Sequence, residues 1–147
     1  MNKLVIGVFA TLALSNSYAQ STDEITKTRF GEVIISEEET NINGKNIEDL
    51  QYLNPIYLLN RTELASSDVI LIAQPLGNNC PGKFKFLIID NNGARTTPLF
   101  GTCYDDIPTP IQAGEAVAFN MVNLGGEGTT LYIYQNGSVY ENGNIVK

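Results

Sequence analysis

Cys80 and Cys103, the only two cysteines of this 147-residue chain, stand at equal distances from the Asn91-Asn92 step. Between them lie an aromatic and aliphatic run, a turn sequence Asn91-Asn92-Gly93, and a second run ending in Phe100-Gly101-Thr102-Cys103. A hairpin that turns at that step brings the two sulfurs opposite each other at its open end. Two cysteines in an exported chain favour a disulfide in any case, and the symmetric placement strengthens the inference. If Asn92-Gly93 forms the two-residue loop instead, the register slips by two and a bulge at Pro81-Gly82 takes up the difference. Closing a loop of this size stabilises the fold by roughly 3 kcal/mol on the chain-entropy account. The Cys-x-x-Cys spacing of a redox-active pair is missing.

Export is read from the N-terminus. Met1-Asn2-Lys3 is followed by an apolar stretch from Leu4 to Leu14, with small residues at Ser17 and Ala19. That is the pattern of a secretory signal peptide over residues 1–19, cleaved after Ala19. The apolar stretch is short of the ~20 residues a spanning helix needs, so no stable membrane anchor is expected. The expected location is the periplasm or beyond. Residues 20–28 read as a flexible lead-in, and residues 29–147 as a single β domain.

Short β-branched or aromatic runs, punctuated by Asn-Gly and Pro, give strand candidates at 29–36, 40–42 with 45–47, 56–64, 68–74, 83–90, 95–100, 116–122, 130–135 and 138–141. Asn43-Gly44, Asn136-Gly137 and Asn142-Gly143 suit type I′ turns, in which both central residues need positive φ. Residues 48–52 allow one helical turn before Pro55. The fold class is all-β: a single antiparallel meander closed into a small barrel or sandwich, with one disulfide. The runs at 70–72 and 86–89 are almost continuously apolar, so those strands are expected in the centre, covered on both faces.

A two-residue loop at Asn136-Gly137 sets Tyr134 opposite Val139 and Ile133 opposite Tyr140. Leu131, Ile133 and Tyr140 then share one face, while Tyr132, Tyr134 and Val139 share the other. Val69, Leu71, Phe84, Phe86, Leu131 and Ile133 are the expected core. On that reading Tyr132 and Tyr134 either cover the sheet or offer rings to a sugar or a protein partner.

At the cysteines the chain resembles a known family. Cys80-Pro81, Phe84-Lys85-Phe86 and Thr97-Pro98-Leu99-Phe100-Gly101-Thr102-Cys103-Tyr104-Asp105 are similar to a functionally uncharacterised family of small exported bacterial proteins. Its members share a Cys-Pro, an aromatic-rich strand, a turn and a Phe-Gly-Ser/Thr-Cys-x-Asp/Glu stretch. The resemblance spans roughly residues 29–106, includes Phe30-Gly31-Glu32-Val33, and implies export, β structure and the disulfide. It implies no activity.

The chemistry that remains is sparse. There is no histidine, which removes Ser-His-Asp and Cys-His catalysis and His-based metal sites. No catalytic residue, metal site or cofactor is expected. Asp105-Asp106 and the faintly calcium-loop-like Asp90-Asn91-Asn92-Gly93, whose twelfth position is Gly101, read first as turn residues. The whole chain carries −7, and loss of Lys3 with the leader makes the exported form −8. A basic stripe for nucleic acid is absent. Nine of the 16 acidic residues fall between Asp23 and Glu63, with Glu37, Glu38 and Glu39 adjacent. Those three glutamates, with Tyr132 and Tyr134, are the candidate partner-binding residues, and the expected partner is a basic protein of the envelope. The functional expectation is a non-enzymatic exported protein that binds another protein, as envelope inhibitors and immunity proteins do. The alternative is a small-ligand or glycan-binding β module.

Overall fold

The computed structural model describes residues 24–36, 40–50 and 56–147. The signal-peptide segment and Glu37, Glu38 and Glu39 lie outside the described residues. Among the described residues no helix is long and apolar enough to cross a membrane. The described residues form three antiparallel sheets stacked as a sandwich, without barrel closure.

The first sheet is β1 (Glu24–Thr28), β2 (Gly31–Ile35), β3 (Thr40–Ile42) and β4 (Lys45–Asn46), in that spatial order. A 3₁₀ turn, Glu48–Leu50, follows it. The middle sheet runs β5 (Tyr57–Glu63), β6 (Asp68–Ala73), β7 (Gly82–Asp90) and β8 (Gly93–Thr96), with β9 (Phe100–Cys103) also on β7. The third is β10 (Ile111–Ala113), β11 (Ala116–Val122), β12 (Thr129–Gln135), β13 (Ser138–Glu141) and β14 (Asn144–Ile145). Apart from β9, which follows β8 along β7, neighbours in space are neighbours in sequence, so each sheet is a meander. The expected lead-in at 20–28 is corrected here: from Glu24 on it is strand, paired with β2 from Glu24 opposite Ile35 to Thr28 opposite Gly31.

The middle sheet is the core. Successive side chains of a strand point to opposite faces, and β6 is apolar from Val69 to Ala73 and β7 from Phe86 to Ile89. Val69, Leu71, Phe84, Phe86 and Ile88 pack with Val117, Phe119, Met121, Tyr132, Tyr134 and Val139 of the third sheet. Ile70, Ile72, Leu87 and Ile89 pack with Val33, Ile35 and Ile42 of the first. The central placement expected from 70–72 and 86–89 is what the structure has.

The Asn-Gly turns have the required backbone: φ is 50° and 74° at Asn43-Gly44, 52° and 80° at Asn136-Gly137, and 47° and 86° at Asn142-Gly143. Tyr134 pairs with Val139 and Ile133 with Tyr140 as derived. Which face goes inward is a correction. Tyr132 is 1 % and Tyr134 3 % exposed, whereas Leu131 is 37 % exposed. The reason lies in the adjoining strand. Val117 sits opposite Tyr134, Phe119 opposite Tyr132 and Met121 opposite Thr130, so the bulky side of β11 is the tyrosine side. The tyrosine rings then fill the aromatic surface of Phe86 and Phe100, with centroids 5.2 Å apart for Phe86–Tyr134 and for Phe100–Tyr132.

Cys80 and Cys103 are bonded, with Cα atoms 4.2 Å apart. At the tip Asp90 pairs with Gly93, so Asn91-Asn92 is the two-residue loop. Further out the ladder shifts: Phe84 pairs with Phe100, and Gly82, not Cys80, pairs with Cys103. The expected strand at 95–100 accordingly breaks into β8 and β9. Pro98 has no N–H to give the ladder, and the Thr97 hydroxyl accepts the Phe86 N–H at 3.0 Å. The backbones then crowd. A Cβ on Gly82 would lie 1.9 Å from the Tyr104 carbonyl oxygen, and one on Gly101 2.3 Å from that of Gly82.

The inward face of β12 and β11 is tested by a pair of truncations. Phe119→Ala should cost about 3–5 kcal/mol in urea unfolding, and Leu131→Ala less than about 1 kcal/mol.

Candidate functional site

Six hairpin connections meet at one end of the sandwich. The end is assembled around Asp68, whose side chain is fully buried although it opens an otherwise apolar strand. The Arg29 backbone N–H donates to Asp68 Oδ2 at 2.8 Å and its Nε to Oδ1 at 2.6 Å. Arg61 reaches Oδ2 at 3.2 Å. Arg29 also donates to the carbonyl oxygens of Leu64 and Ser67. One carboxylate thereby joins the β1–β2 turn of the first sheet to the β5–β6 loop of the middle sheet. On the other side, the Glu115 carboxylate accepts the Ala65 N–H at 3.1 and 3.2 Å, and Gln112 donates to the Glu63 carbonyl at 3.0 Å. These bonds tie the β10–β11 turn to the same loop.

The β7–β8 tip stands between two open clefts. One, of about 420 Å³, has Ser66, Asp90, Arg95, Glu115, Tyr134 and Asn136 in its lining. The other, of about 350 Å³, has Lys45, Glu48, Asp49 and Asn92 in its walls. Arg95 donates to Asp90 Oδ2 at 2.7 Å, and the Asn92 N–H to Oδ1 at 2.8 Å. The Arg95 guanidinium holds the Asp90 carboxyl below its ordinary pKa against the opposing effect of burial. Asp90 is thus fixed as an anion within the turn. Asp49 of the second cleft accepts a hydrogen bond from the Thr96 hydroxyl at 3.3 Å. The clefts offer carboxylates, amides and hydroxyls on a rigid rim, a surface for polar docking.

Of the residues singled out in the sequence, Glu37, Glu38 and Glu39 lie outside the described residues, between Ser36 and Thr40. Tyr132 and Tyr134 belong to the core, so the stacking face on which a glycan reading drew is closed to solvent. Burial, and donation of the Tyr132 hydroxyl to Glu141 at 2.7 Å, push the Tyr132 phenol well above its ordinary range; burial raises Tyr134 as well. Asp105 and Asp106 are exposed beside the disulfide, with the Asp106 N–H bonded to the Tyr104 carbonyl. Among the described residues no three His, Cys, Asp or Glu side chains are grouped to hold a metal ion. Sequence reasoning missed Asp68 and Arg29. The available signal was a lone acid at the head of an apolar strand, since a buried charge needs a partner.

Comparison with protein-family models, curated proteins and solved structures finds no match for this chain. The resemblance over residues 29–106 therefore rests on its motif residues alone.

Two outcomes check this geometry. Asp68→Ala strips the Arg29 backbone and side-chain donors of their acceptor and should cost about 2–3 kcal/mol in chemical unfolding. Tyr132 is favoured neutral in the folded state. Its contribution is complete below the ordinary phenol pKa of about 10 and is lost as pH rises above it. In urea titrations across that range, Tyr132→Phe should lose stability less steeply with pH than the parent.

Proposed function

We propose that this is an exported, non-enzymatic protein that acts by binding another protein in the cell envelope, in the manner of an inhibitor or immunity protein. The observation that carries the reading is the turn end: hairpin tips from all three sheets, clamped through Asp68 and Glu115, form a single charged rim with open clefts. Binding residues presented on short loops over a rigid scaffold dock with little loss of conformational freedom. The disulfide at the opposite end suits an oxidising compartment outside the cytoplasm.

The excess of acid sets the chemistry of the partner. Glu48, Asp49 and Glu115 line the clefts, and the sequence adds Glu37, Glu38 and Glu39 in the same half of the chain as most other acids. A basic protein fits such a surface. Complementary charge would speed the encounter, and screening over roughly 8–10 Å at moderate ionic strength would slow it.

Affinity capture from envelope extract identifies the partner, and stopped-flow or surface-resonance kinetics test the chemistry. Changing Glu37, Glu38 and Glu39 together to lysine should lower the association rate about tenfold at low salt and leave the melting curve unchanged. An association rate indifferent both to that change and to ionic strength defeats the electrostatic reading.

A further inference from the structure

Asparagine followed by glycine occurs four times, at Asn43, Asn92, Asn136 and Asn142. Such a step carries its own chemistry. The glycine nitrogen can attack the asparagine side-chain carbon Cγ, and glycine has no Cβ to obstruct the approach. All four asparagines are exposed, so solvent access does not separate them. The backbone does.

Asn43, Asn136 and Asn142 are left-handed, with φ of 50°, 52° and 47°. In that region ψ is about +47°, which sets the next nitrogen nearly anti to Cβ and far from Cγ. Two of the three amides are also held. Asn43 Oδ1 accepts the Glu32 N–H and its Nδ2 donates to the Phe30 carbonyl. Asn142 Oδ1 accepts the Leu131 N–H. Asn92 differs in both respects. Its φ is negative, and the positive φ of this turn falls on Gly93 instead, at 117°. In the helical and extended wells the next nitrogen lies to one side of Cβ, so rotation about the Cα–C bond brings it to Cγ. The Asn92 side-chain amide makes no hydrogen bond among the described residues, while its backbone N–H is anchored on Asp90 Oδ1. The Asp90–Gly93 pair is the last of the β7–β8 ladder. Turning the 92–93 peptide therefore opens one pair at the tip and leaves the buried part of β7 in place.

We propose that Asn92 is a self-modification site, the Asn-Gly step at which the folded protein converts to aspartyl and isoaspartyl forms. The Gly93 nitrogen gives its proton to solvent base and bonds to Asn92 Cγ. The Cγ–Nδ2 bond breaks, and the amide nitrogen leaves as ammonia with a proton returned from solvent. The five-membered succinimide then takes up one water. Opening at one carbonyl gives aspartate; opening at the other gives isoaspartate, whose main chain runs through the side-chain carbons. One water enters, one ammonia leaves, and nothing is oxidised or reduced. Either product adds a carboxylate to the cleft that Glu48 and Asp49 line. The isoaspartyl form also lengthens the hairpin tip by one backbone atom. The modification does not depend on the docking function proposed above and is read on the isolated protein.

Peptide mapping by mass spectrometry makes the test, on the folded, disulfide-bonded protein incubated at neutral and mildly alkaline pH. The expected result is a one-dalton gain that accumulates in the peptide holding Asn92. It should be faster at the higher pH, because the attacking nitrogen must lose its proton. Asn43, Asn136 and Asn142 should react at least about tenfold more slowly, since each must first give up its turn and, for two, a side-chain bond. In the reduced, urea-unfolded chain the four steps should react at similar rates. Asn92→Gln lengthens the side chain past the five-membered ring and leaves no bond unmade. It should keep the circular dichroism spectrum and abolish the gain, which separates Asn92 from its neighbour Asn91. A folded protein left unmodified at Asn92 while the unfolded chain reacts, or modified first at a left-handed asparagine, overturns the proposal. So does a selectivity unchanged by unfolding, or a gain that survives Asn92→Gln.

Discussion

Everything in this molecule leans on the two-sided burial of β6 and β7. A sheet covered on one face needs one partner layer; this one needs two, because its central strands are apolar on both faces from Val69 to Ile72 and from Phe86 to Ile89. The odd positions from Val69 to Leu71 and the even positions from Phe84 to Ile88 require an aromatic cover, which the third sheet supplies with Phe119, Tyr132 and Tyr134. The alternate set requires an aliphatic cover, and the first sheet supplies Val33, Ile35 and Ile42. Each cover is itself one-sided, so the stack ends after three layers. The buried Asp68–Arg29 pair sits where the first cover meets the middle sheet, and the Glu115 carboxylate where the second does. Specific polar bonds fix the relative placement that non-directional burial leaves loose.

The two ends of the sandwich divide the structural tasks. At one end, backbones approach so closely that Gly82 and Gly101 admit no side chain, and the disulfide locks the crowding in place. At the other, carboxylates tie hairpin tips to one another around open clefts. A closely packed end paired with an open, polar end gives the molecule a direction. The proposed docking function has its natural place at the open end, because reshaping the crowded one would disturb the backbone of β7.

Much of the fold was legible because its local signals are strong. Asn-Gly turns fix two-residue loops, so the Tyr134–Val139 pairing followed from counting. Continuous apolar runs announce a doubly covered sheet, and the disulfide followed from the cysteine symmetry. The illegible parts required information from a neighbour. A strand such as β12, apolar on both sides, does not say which side is inside; β11 decides, through Val117, Phe119 and Met121. The edge strands β10 and β14 are too short for periodicity to register. The split of β8 from β9 depends on a threonine hydroxyl replacing a ladder contact beside Pro98, a substitution visible only in three dimensions. At the candidate site, Asp68 looked like a strand-opening residue until its arginine partner, 39 positions earlier, lay beside it.

The serial order of the three meanders has a consequence for how the chain folds as it is made. Synthesis delivers the N-terminus first, and each sheet needs only its own residues to pair. The first sheet and the front of the middle sheet can therefore zip as they emerge, through hairpins of short sequence separation. The bridge has to wait for residue 103. The aromatic face of β7 and β9 waits longer, since its cover begins at β10 and is complete only at the C-terminus. In that interval Phe84, Phe86 and Phe100 stand on an uncovered face, the condition under which nascent β proteins aggregate. The last quarter of the chain thus acts as a lid supplied in cis, and the aromatic face is most open to aggregation in the moments before it arrives.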